Sequence, residues 1–179
     1  MSKGLGILVG IIAVVVVIGA IVGGSYNSIV NKEEKVDKAY SDISVQLERR
    51  ADLIPNLVNT VKGYVEHEET IINSVTTARE NLLKANTVSE KSVANNELTS
   101  ALNALMVIVE NYPDLKANTN FINLQDELSG TENRIATSRR DYNEKVEDYN
   151  ATIKKFPTNI LSGMFGFEKK DYFEIEASK

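Results

Sequence analysis

LGILVGIIAVVVVIGAIV, residues 5–22, is an uninterrupted run of Leu, Ile, Val, Ala and Gly. At about 1.5 Å per residue, an α-helix of this length spans roughly 27 Å, close to the hydrocarbon thickness of a bilayer. No charged residue occurs between Gly4 and Asn31. Because such a helix satisfies its backbone groups internally and buries its side chains in lipid, the stretch predicts one N-terminal transmembrane helix.

A cleaved secretory signal is the alternative interpretation of this segment. Lys3 would then form the basic start of the signal, and Val22-Gly23-Gly24 would be a permissible cleavage site. The apolar run is longer than the roughly 7–15 residues of a signal core, which favours an uncleaved anchor. No cysteine follows the run, so attachment of a lipid to a cysteine is excluded.

The charges that flank the run indicate an orientation. Lys3 precedes it, and Lys32, Lys35 and Lys38 follow it. Basic residues are enriched on the cytoplasmic side of membrane spans. The count therefore favours a single-pass membrane protein, with its N-terminus outside and the rest of the chain in the cytoplasm.

The remainder of the chain is polar and acidic. The sequence has 20 basic and 25 acidic residues, and only Lys3 precedes Lys32, so the part after the run carries 19 basic and 25 acidic residues, a net charge of -6. This charge argues against nucleic acid as a partner. Cysteine is absent, which excludes disulfides, a thiolate nucleophile and cysteine metal ligands.

Apolar residues recur at helical spacing throughout the polar part, without the alternation that is typical of strands. They form four stripes: Val36, Tyr40, Ile43, Leu47, Ile54, Val58, Val61 and Val65; Ile72, Val75, Ala78 and Leu82; Leu98, Leu102, Leu105, Val109 and Tyr112; and Phe121, Leu124, Leu128, Ile135, Tyr142, Val146, Tyr149, Ile153 and Phe156. Helices with one apolar face bury those faces together, and short connections favour antiparallel neighbours. The predicted fold is all-α, an N-terminal single transmembrane helix followed by an antiparallel four-helix bundle.

Prolines and capping residues set the predicted helix boundaries. Pro55 lies inside the first stripe and should bend or break its helix, because proline lacks a backbone donor and clashes with the preceding turn. Ser89 is the candidate cap of the third helix, and Asn118–Asn120 offer caps for the fourth. Pro157 should end that fourth helix.

Two arginines interrupt the stripes. Arg50 falls within the first stripe, after Arg49, and Arg139 falls within the fourth. A buried charge costs desolvation free energy unless it is paired, so we expect each to meet an Asp or Glu across the bundle and to fix helix register. The alternative role for these arginines is a partner-binding patch.

The sequence offers no catalytic or metal-binding constellation. His67 is its single histidine, and although Glu66, Glu68 and Glu69 surround it, consecutive residues point to different sides of a helix and no second His or Cys completes a zinc site. Nucleophilic catalysis needs a nucleophile beside a base, and the chain has no cysteine and one histidine. It also has no glycine-rich loop of the kind that binds phosphate. We therefore predict a non-enzyme with no catalytic residue, cofactor or metal, and a solvated or capping His67.

The C-terminal region is rich in Phe, Ile, Leu and Met up to Lys169-Lys170. We expect it to fold back over the end of the bundle. The alternative is a surface for another subunit or for lipid headgroups, since aromatic residues stand beside lysines. The expected regions are residues 1–30 as anchor and juxtamembrane segment, residues 31–156 as the bundle, and residues 157–179 as the aromatic-rich tail.

Several segments together resemble the signature of the LemA family. They run in order over nearly the whole chain and include QLERRADLIPNLV at 46–58, VKGY at 61–64, YPDLK at 112–116, FPTN at 156–159 and FGF at 165–167. The resemblance implies an N-terminal membrane anchor and an antiparallel helical bundle, generally on the cytoplasmic side of bacterial membranes. It carries over no family-wide enzymatic activity, so the matching residues are candidate signature or interaction positions: Arg49, Arg50, Asp52, Leu53, Ile54, Pro55, Asn56, Leu57, His67, Glu68, Arg139, Arg140, Phe165 and Phe167.

The predicted function is that of a non-catalytic, membrane-anchored scaffold or adaptor. Its expected partners are the lipid bilayer, further copies of itself in a homo-oligomer, and an unidentified membrane or cytoplasmic protein. One alternative is an accessory or sensor subunit that regulates a membrane enzyme or transport complex. Another is a small-ligand binder, which a buried polar cavity at Arg50 or Arg139 would favour.

Overall fold

The computed structural model describes residues 3–65 and 67–174, and these residues form helices but no strand. The helices within them are α1 Lys3–Lys62, α2 Glu69–Lys84, α3 Val88–Val109, α4 Pro113–Lys116, α5 Thr119–Lys154 and α6 Thr158–Phe165. The chain divides into two compact units: an N-terminal unit of Met1–Lys38 with Glu144–Lys170, and a bundle unit of Ala39–Asn143 with Asp171–Lys179.

The N-terminal unit contains the apolar run. By length and composition, α1 is the one helix in the described part of the chain that could cross a membrane, and its most apolar window has a mean hydropathy of 3.2. None of that window is buried against protein. Large side chains such as Ile12, Val16 and Ile18 are more than half exposed, as expected for a surface that faces lipid.

The bundle unit packs the apolar faces of four helices together. α2 and α3 are joined by a short connection and pack against each other, and the predicted all-α bundle is confirmed. Each fully buried aliphatic or aromatic side chain contributes about 1.5–3 kcal/mol relative to exposure. The core residues of this unit include Ile43, Leu47, Ile54, Leu57, Val61, Val75, Leu98, Leu105, Phe121, Ile135 and Tyr142.

Pro55 does not break α1, which continues to Lys62, so the expectation of a break was wrong. Proline has no N–H to bond the carbonyl oxygen four residues earlier, which belongs to the fully buried Ala51. Arg79 of α2 supplies the missing donor: its Nε donates to the Ala51 oxygen at 2.8 Å. A tertiary contact thus replaces the lost helical hydrogen bond.

The cap of α3 also differs from the prediction. Thr87, and not Ser89, is the N-cap: its Oγ1 accepts from the backbone nitrogen of Glu90 at 3.1 Å. The Glu90 carboxylate accepts in return from the backbone nitrogens of Asn86 at 2.9 Å and Thr87 at 3.0 Å, and these bonds lower the pKa of Glu90. At the start of α5, Asn118 Oδ1 accepts from the Phe121 nitrogen at 3.0 Å, so the predicted asparagine cap is confirmed.

The stripe of α5 ends earlier than predicted. The helix stops at Lys154, and Phe156 is 81% exposed, so its expected place in the buried face was wrong. Because Phe156 lies beyond the end of α5, helical spacing does not place it on the face shared by Val146, Tyr149 and Ile153. Phe156 instead precedes α6.

The chain after α6 returns beside α5. In the N-terminal unit, the Asn150 side chain pairs with both backbone groups of Lys170, each at 2.9 Å. In the bundle unit, Asn143 pairs in the same way with Phe173 at 2.8 and 3.0 Å, and Phe173 is buried. The described part of the tail therefore folds back along a helix, while residues 175–179 lie outside the described residues.

Candidate functional site

Arg50 forms the centre of a polar site inside the bundle unit. Its position between the core residues Leu47 and Ile54 leaves it only 3% exposed. Its Nη1 lies 2.7 Å from Oε2 of Glu132 on α5. The predicted pairing of Arg50 with an acidic residue across the bundle is thus observed.

Two α3 residues complete the contacts of the guanidinium group. Arg50 Nη1 donates to Oδ1 of the buried Asn95 at 2.6 Å and to Oγ1 of Thr99 at 3.1 Å. Burial lowers the pKa of Arg50 below its ordinary value, and the negative charge of Glu132 opposes that shift. The guanidinium therefore ties three helices together through its contacts.

The polar groups of this site are not all satisfied. Arg50 Nε is buried without an acceptor among the described residues, and Glu132 Oε2 contacts the guanidinium at ion-pair distance without hydrogen-bond alignment. A buried donor without a partner costs free energy comparable to a lost hydrogen bond. The site can therefore gain from a further polar group.

A cavity of about 390 Å³ adjoins Arg50 and lies between α3 and α5. Its walls are helical faces with spacings of three, four and seven residues: Thr99, Leu102, Asn103 and Met106 on α3, and Gln125, Leu128, Ser129, Glu132 and Asn133 on α5. The volume is within the range of ligand pockets. We call this cavity the Arg50 groove.

The Arg50 groove has the chemistry of a binding site. Arg50 and Glu132 offset each other's charge, and the remaining polar lining consists of amides and hydroxyls beside three apolar side chains. Such a lining suits an uncharged polar group, for example a peptide amide, which both donates and accepts. No histidine lines the groove, so its hydroxyls lack the adjacent base that a nucleophile requires.

The other predicted residues of α1 lie on different sides of the helix. Ile54 and Leu57 belong to the buried core, Leu53 is half-buried, and Asp52, Pro55 and Asn56 are exposed. Arg49 points away from the groove and forms a half-exposed ion pair with Glu127 at 2.8 Å. Asn56 lines a second, uncharged cavity of about 410 Å³ with Asn59, Thr60, Asn120, Asn123 and Leu124.

Arg139 does not form the predicted pair across the bundle. It is partly exposed, and no ion pair joins it to a carboxylate within residues 3–65 and 67–174. Burial lowers its pKa, the Glu132 carboxylate opposes that shift, and Arg140 reinforces it. Arg139 reaches water, so it does not need the partner that burial imposes on Arg50. Arg140 is exposed.

His67 and Glu68 lie in the connection between α1 and α2. His67 is exposed, and Glu68 accepts from the Tyr112 hydroxyl at 3.4 Å. Glu66, which precedes His67 in the sequence, lies outside the described residues. Among the residues that the structure covers, no group of three His, Cys, Asp or Glu side chains could hold a metal ion.

Phe165 and Phe167 belong to the N-terminal unit. The ring of Tyr26 on α1 lies 5.0 Å from the ring of Phe165 and 5.7 Å from that of Phe167, measured between centroids. The predicted residues therefore do not form one site. Arg50 defines a groove in the bundle unit, and the two phenylalanines define an aromatic contact in the other unit.

Asn95, Thr99, Glu132 and Arg79 were not predicted as site residues from the sequence. A signal existed for Asn95, because it stands three residues before Leu98 and seven before Leu102, at a buried position of the α3 stripe. Glu132 likewise stands four residues after Leu128 and three before Ile135. Polar residues at such positions are candidates for pairing with Arg50.

Comparison with known proteins gives consistent matches. The model of the LemA family matches residues 39–179. Magnetosome proteins MamQ 1 and MamQ 2 of Paramagnetospirillum magneticum are each 28% identical over 175 residues, which cover 83% of this chain and 64% of theirs. Protein LemA of Metamycoplasma hominis is 26% identical over 153 residues, covering 85% of this chain and 68% of its own. The chain thus spans less than two thirds of the length of the MamQ relatives.

Proposed function

The chain belongs to the LemA family, and from this we propose that it is a non-catalytic, membrane-anchored scaffold or adaptor. In this proposal α1 crosses the bilayer once, and the bundle binds an uncharged polar segment of a partner protein in the Arg50 groove. The single observation that carries it is the composition of α1. The same helix contains an apolar run whose side chains are exposed, as expected for contact with lipid, and the arginine that lines the groove.

Anchoring strengthens weak binding. Tethering the bundle to the membrane raises the effective concentration of the groove toward other membrane proteins, so a modest intrinsic affinity suffices. The same effect favours association between copies of the chain, and we propose that it acts as a homo-oligomer. The family relationship and the apolar helix support membrane association, and the groove supports binding as its chemistry.

Site-directed cross-linking tests binding at the Arg50 groove. Because the chain has no cysteine, a single introduced cysteine can carry a photoreactive maleimide without further changes. Asn103→Cys places the probe in the groove, and Ser100→Cys places it at an exposed α3 position outside the groove. In native membranes we expect Asn103→Cys alone to give a discrete adduct. Equal adducts from both variants would refute binding at the groove.

The mass of the detergent-solubilised protein separates the scaffold from the alternative role. A discrete large homo-oligomer is expected for a self-associating scaffold. A single copy that co-purifies with one other protein would instead favour an accessory or sensor subunit of a membrane complex.

We further propose that the bundle lies in the cytoplasm, supported by the lysines after the span. Val107 is 71% exposed and gives an accessible position for labelling. In spheroplasts, a membrane-impermeant maleimide should not label Val107→Cys until the membrane is opened. Labelling of intact spheroplasts would contradict this orientation.

A further inference from the structure

α6 in the N-terminal unit exposes three of its four large apolar side chains and buries a polar one. Leu161 and Ser162 face the protein, and Ser162 Oγ donates to the carbonyl oxygen of Ile153 on α5 at 3.0 Å. Ile160 and Met164 are 54% and 72% exposed. A helix that packs on a soluble protein usually buries such large apolar side chains.

The exposed residues lie close together in the chain. Ile160 and Met164 stand four residues apart on α6, Phe165 follows Met164, and Phe156 lies just before the helix. All four are at least half exposed. Contiguous exposed apolar surface marks an interaction site, whereas single exposed apolar residues do not. We call these four residues the α6 strip.

The α6 strip is tied to the end of the predicted membrane span. Tyr26 lies four residues after Val22, the last residue of the apolar run, and so roughly 6 Å further along α1. Its ring contacts Phe165 and Phe167 at 5.0 and 5.7 Å. Tyrosine at this distance from a span is typical of the membrane interface, where its ring sits among the headgroups.

Charge around the α6 strip suits an anionic surface. Between residues 154 and 170 the chain has four lysines and one glutamate. Lys154, Lys155 and Lys169 are exposed, whereas Lys170 is engaged by Glu33 at 2.8 Å. Apolar side chains between exposed lysines are the pattern of segments that lie in the interfacial layer of a bilayer.

We propose that the α6 strip inserts into the interfacial layer of the same bilayer that holds α1, while the exposed lysines contact anionic headgroups. The inference rests on the proposed membrane anchoring, because Tyr26 sets the depth of the strip. Lipid is the occupant because the strip continues the lipid-facing surface of α1 through Tyr26. The chain then contacts the membrane at two sites that are distant in sequence.

Fluorescence quenching by lipids tests this inference on the full chain. The protein is labelled at a single introduced cysteine with an environment-sensitive dye and reconstituted in phosphatidylcholine vesicles containing phosphatidylglycerol and brominated lipid. Three variants are compared: Ile12→Cys in the span, Met164→Cys in the strip, and Val107→Cys in the bundle. Val107 is the matched control for Met164, since the two side chains are 71% and 72% exposed.

We expect a blue shift and loss of emission at Met164 that approach those at Ile12, with neither at Val107. Quenching at Ile12 alone would overturn the inference and leave the anchor intact. Quenching at none of the three would overturn the anchor as well. A blue shift at Met164 without quenching would mean that protein covers the strip, and this would also refute lipid contact.

A second set of variants tests which side chains are responsible. Gly163 accepts a cysteine without contact, because a Cβ there meets no atom within 4 Å. Quenching of a label at Gly163→Cys should be lost when Phe156, Ile160 and Met164 are all changed to Ser, whereas quenching at Ile12→Cys should persist. These residues are exposed, so the helical circular dichroism should be unchanged. Undiminished quenching at Gly163 would contradict the role of the strip.

Discussion

Arg50 and Arg49 are neighbours with different surroundings, and this difference decides what each contributes. Arg50 is 3% exposed and contacts Glu132, whereas Arg49 and Glu127 pair at the surface. A buried charge that loses its partner is strongly destabilising, because the desolvation cost remains. An exposed pair contributes at most about 1 kcal/mol.

Replacement of the two glutamates should therefore have unequal effects. Glu132→Gln leaves the buried guanidinium without its counter-charge, and we expect a loss of about 2 kcal/mol in unfolding free energy. Glu127→Gln is the matched control and should cost less than about 0.5 kcal/mol. Urea denaturation of both variants measures the difference. Equal effects would mean that Arg50 is solvated.

Arg79 compensates for Pro55 at the Ala51 carbonyl, and this compensation can be measured. Arg79→Leu removes the donor to a buried oxygen, so it should destabilise the protein by about 1–3 kcal/mol. In a Pro55→Ala background the restored backbone N–H can bond the same oxygen, and Arg79→Leu should cost less. A double-mutant cycle gives the coupling free energy. Strictly additive effects would refute the compensation.

The capping box makes the start of α3 sensitive to acid. Backbone hydrogen bonds lower the pKa of Glu90 below its ordinary 4.5. The stabilisation by Glu90 is therefore present above the unfolded-state pKa and is lost as pH falls through the lower folded-state value.

Glu90→Gln should consequently flatten the loss of stability below about pH 4.5. Glu48→Gln, at an exposed position of α1, serves as the control and should keep the wild-type profile. Unfolding free energies over the acid range measure both. An unchanged slope in Glu90→Gln would mean that the carboxylate does not cap α3 in solution.

The helices were predictable because apolar residues recur at helical spacing within each stripe. The stripe from Phe121 to Ile153 identified α5, and local chemistry identified the Asn118 cap. Pro55 was misjudged because its compensation comes from Arg79, a residue on another helix. Thr87 was missed because Thr87 and Ser89 are both possible N-caps. The hydrogen bonds between Thr87 and Glu90 show which of the two caps α3.

The candidate site was predictable in part. Because Arg50 lies within an apolar stripe, an acidic partner could be predicted. Which residue pairs with it, Glu132, depends on the register between helices that are far apart in sequence. The Arg50 groove depends on the same register. Arg139 has a similar sequence context yet reaches solvent. The apolar stripe predicts which face of the helix is buried but not how much of each side chain neighbouring helices cover.

For the whole molecule, one helix changes its environment along its length. Residues 5–22 of α1 carry exposed apolar side chains, whereas Ile43, Leu47 and Ile54 are buried by other helices. By length and composition the first part could cross a membrane, whereas the second part is buried by protein. The proposed binding role of the groove and the placement of the α6 strip both depend on membrane attachment through α1.

The most direct test is the intact mass of the protein retained in membranes after an alkaline carbonate wash. We predict that the full 19.8 kDa chain stays in the membrane pellet. Recovery in the supernatant of a shorter polypeptide that begins near Ser25 would contradict membrane anchoring by α1.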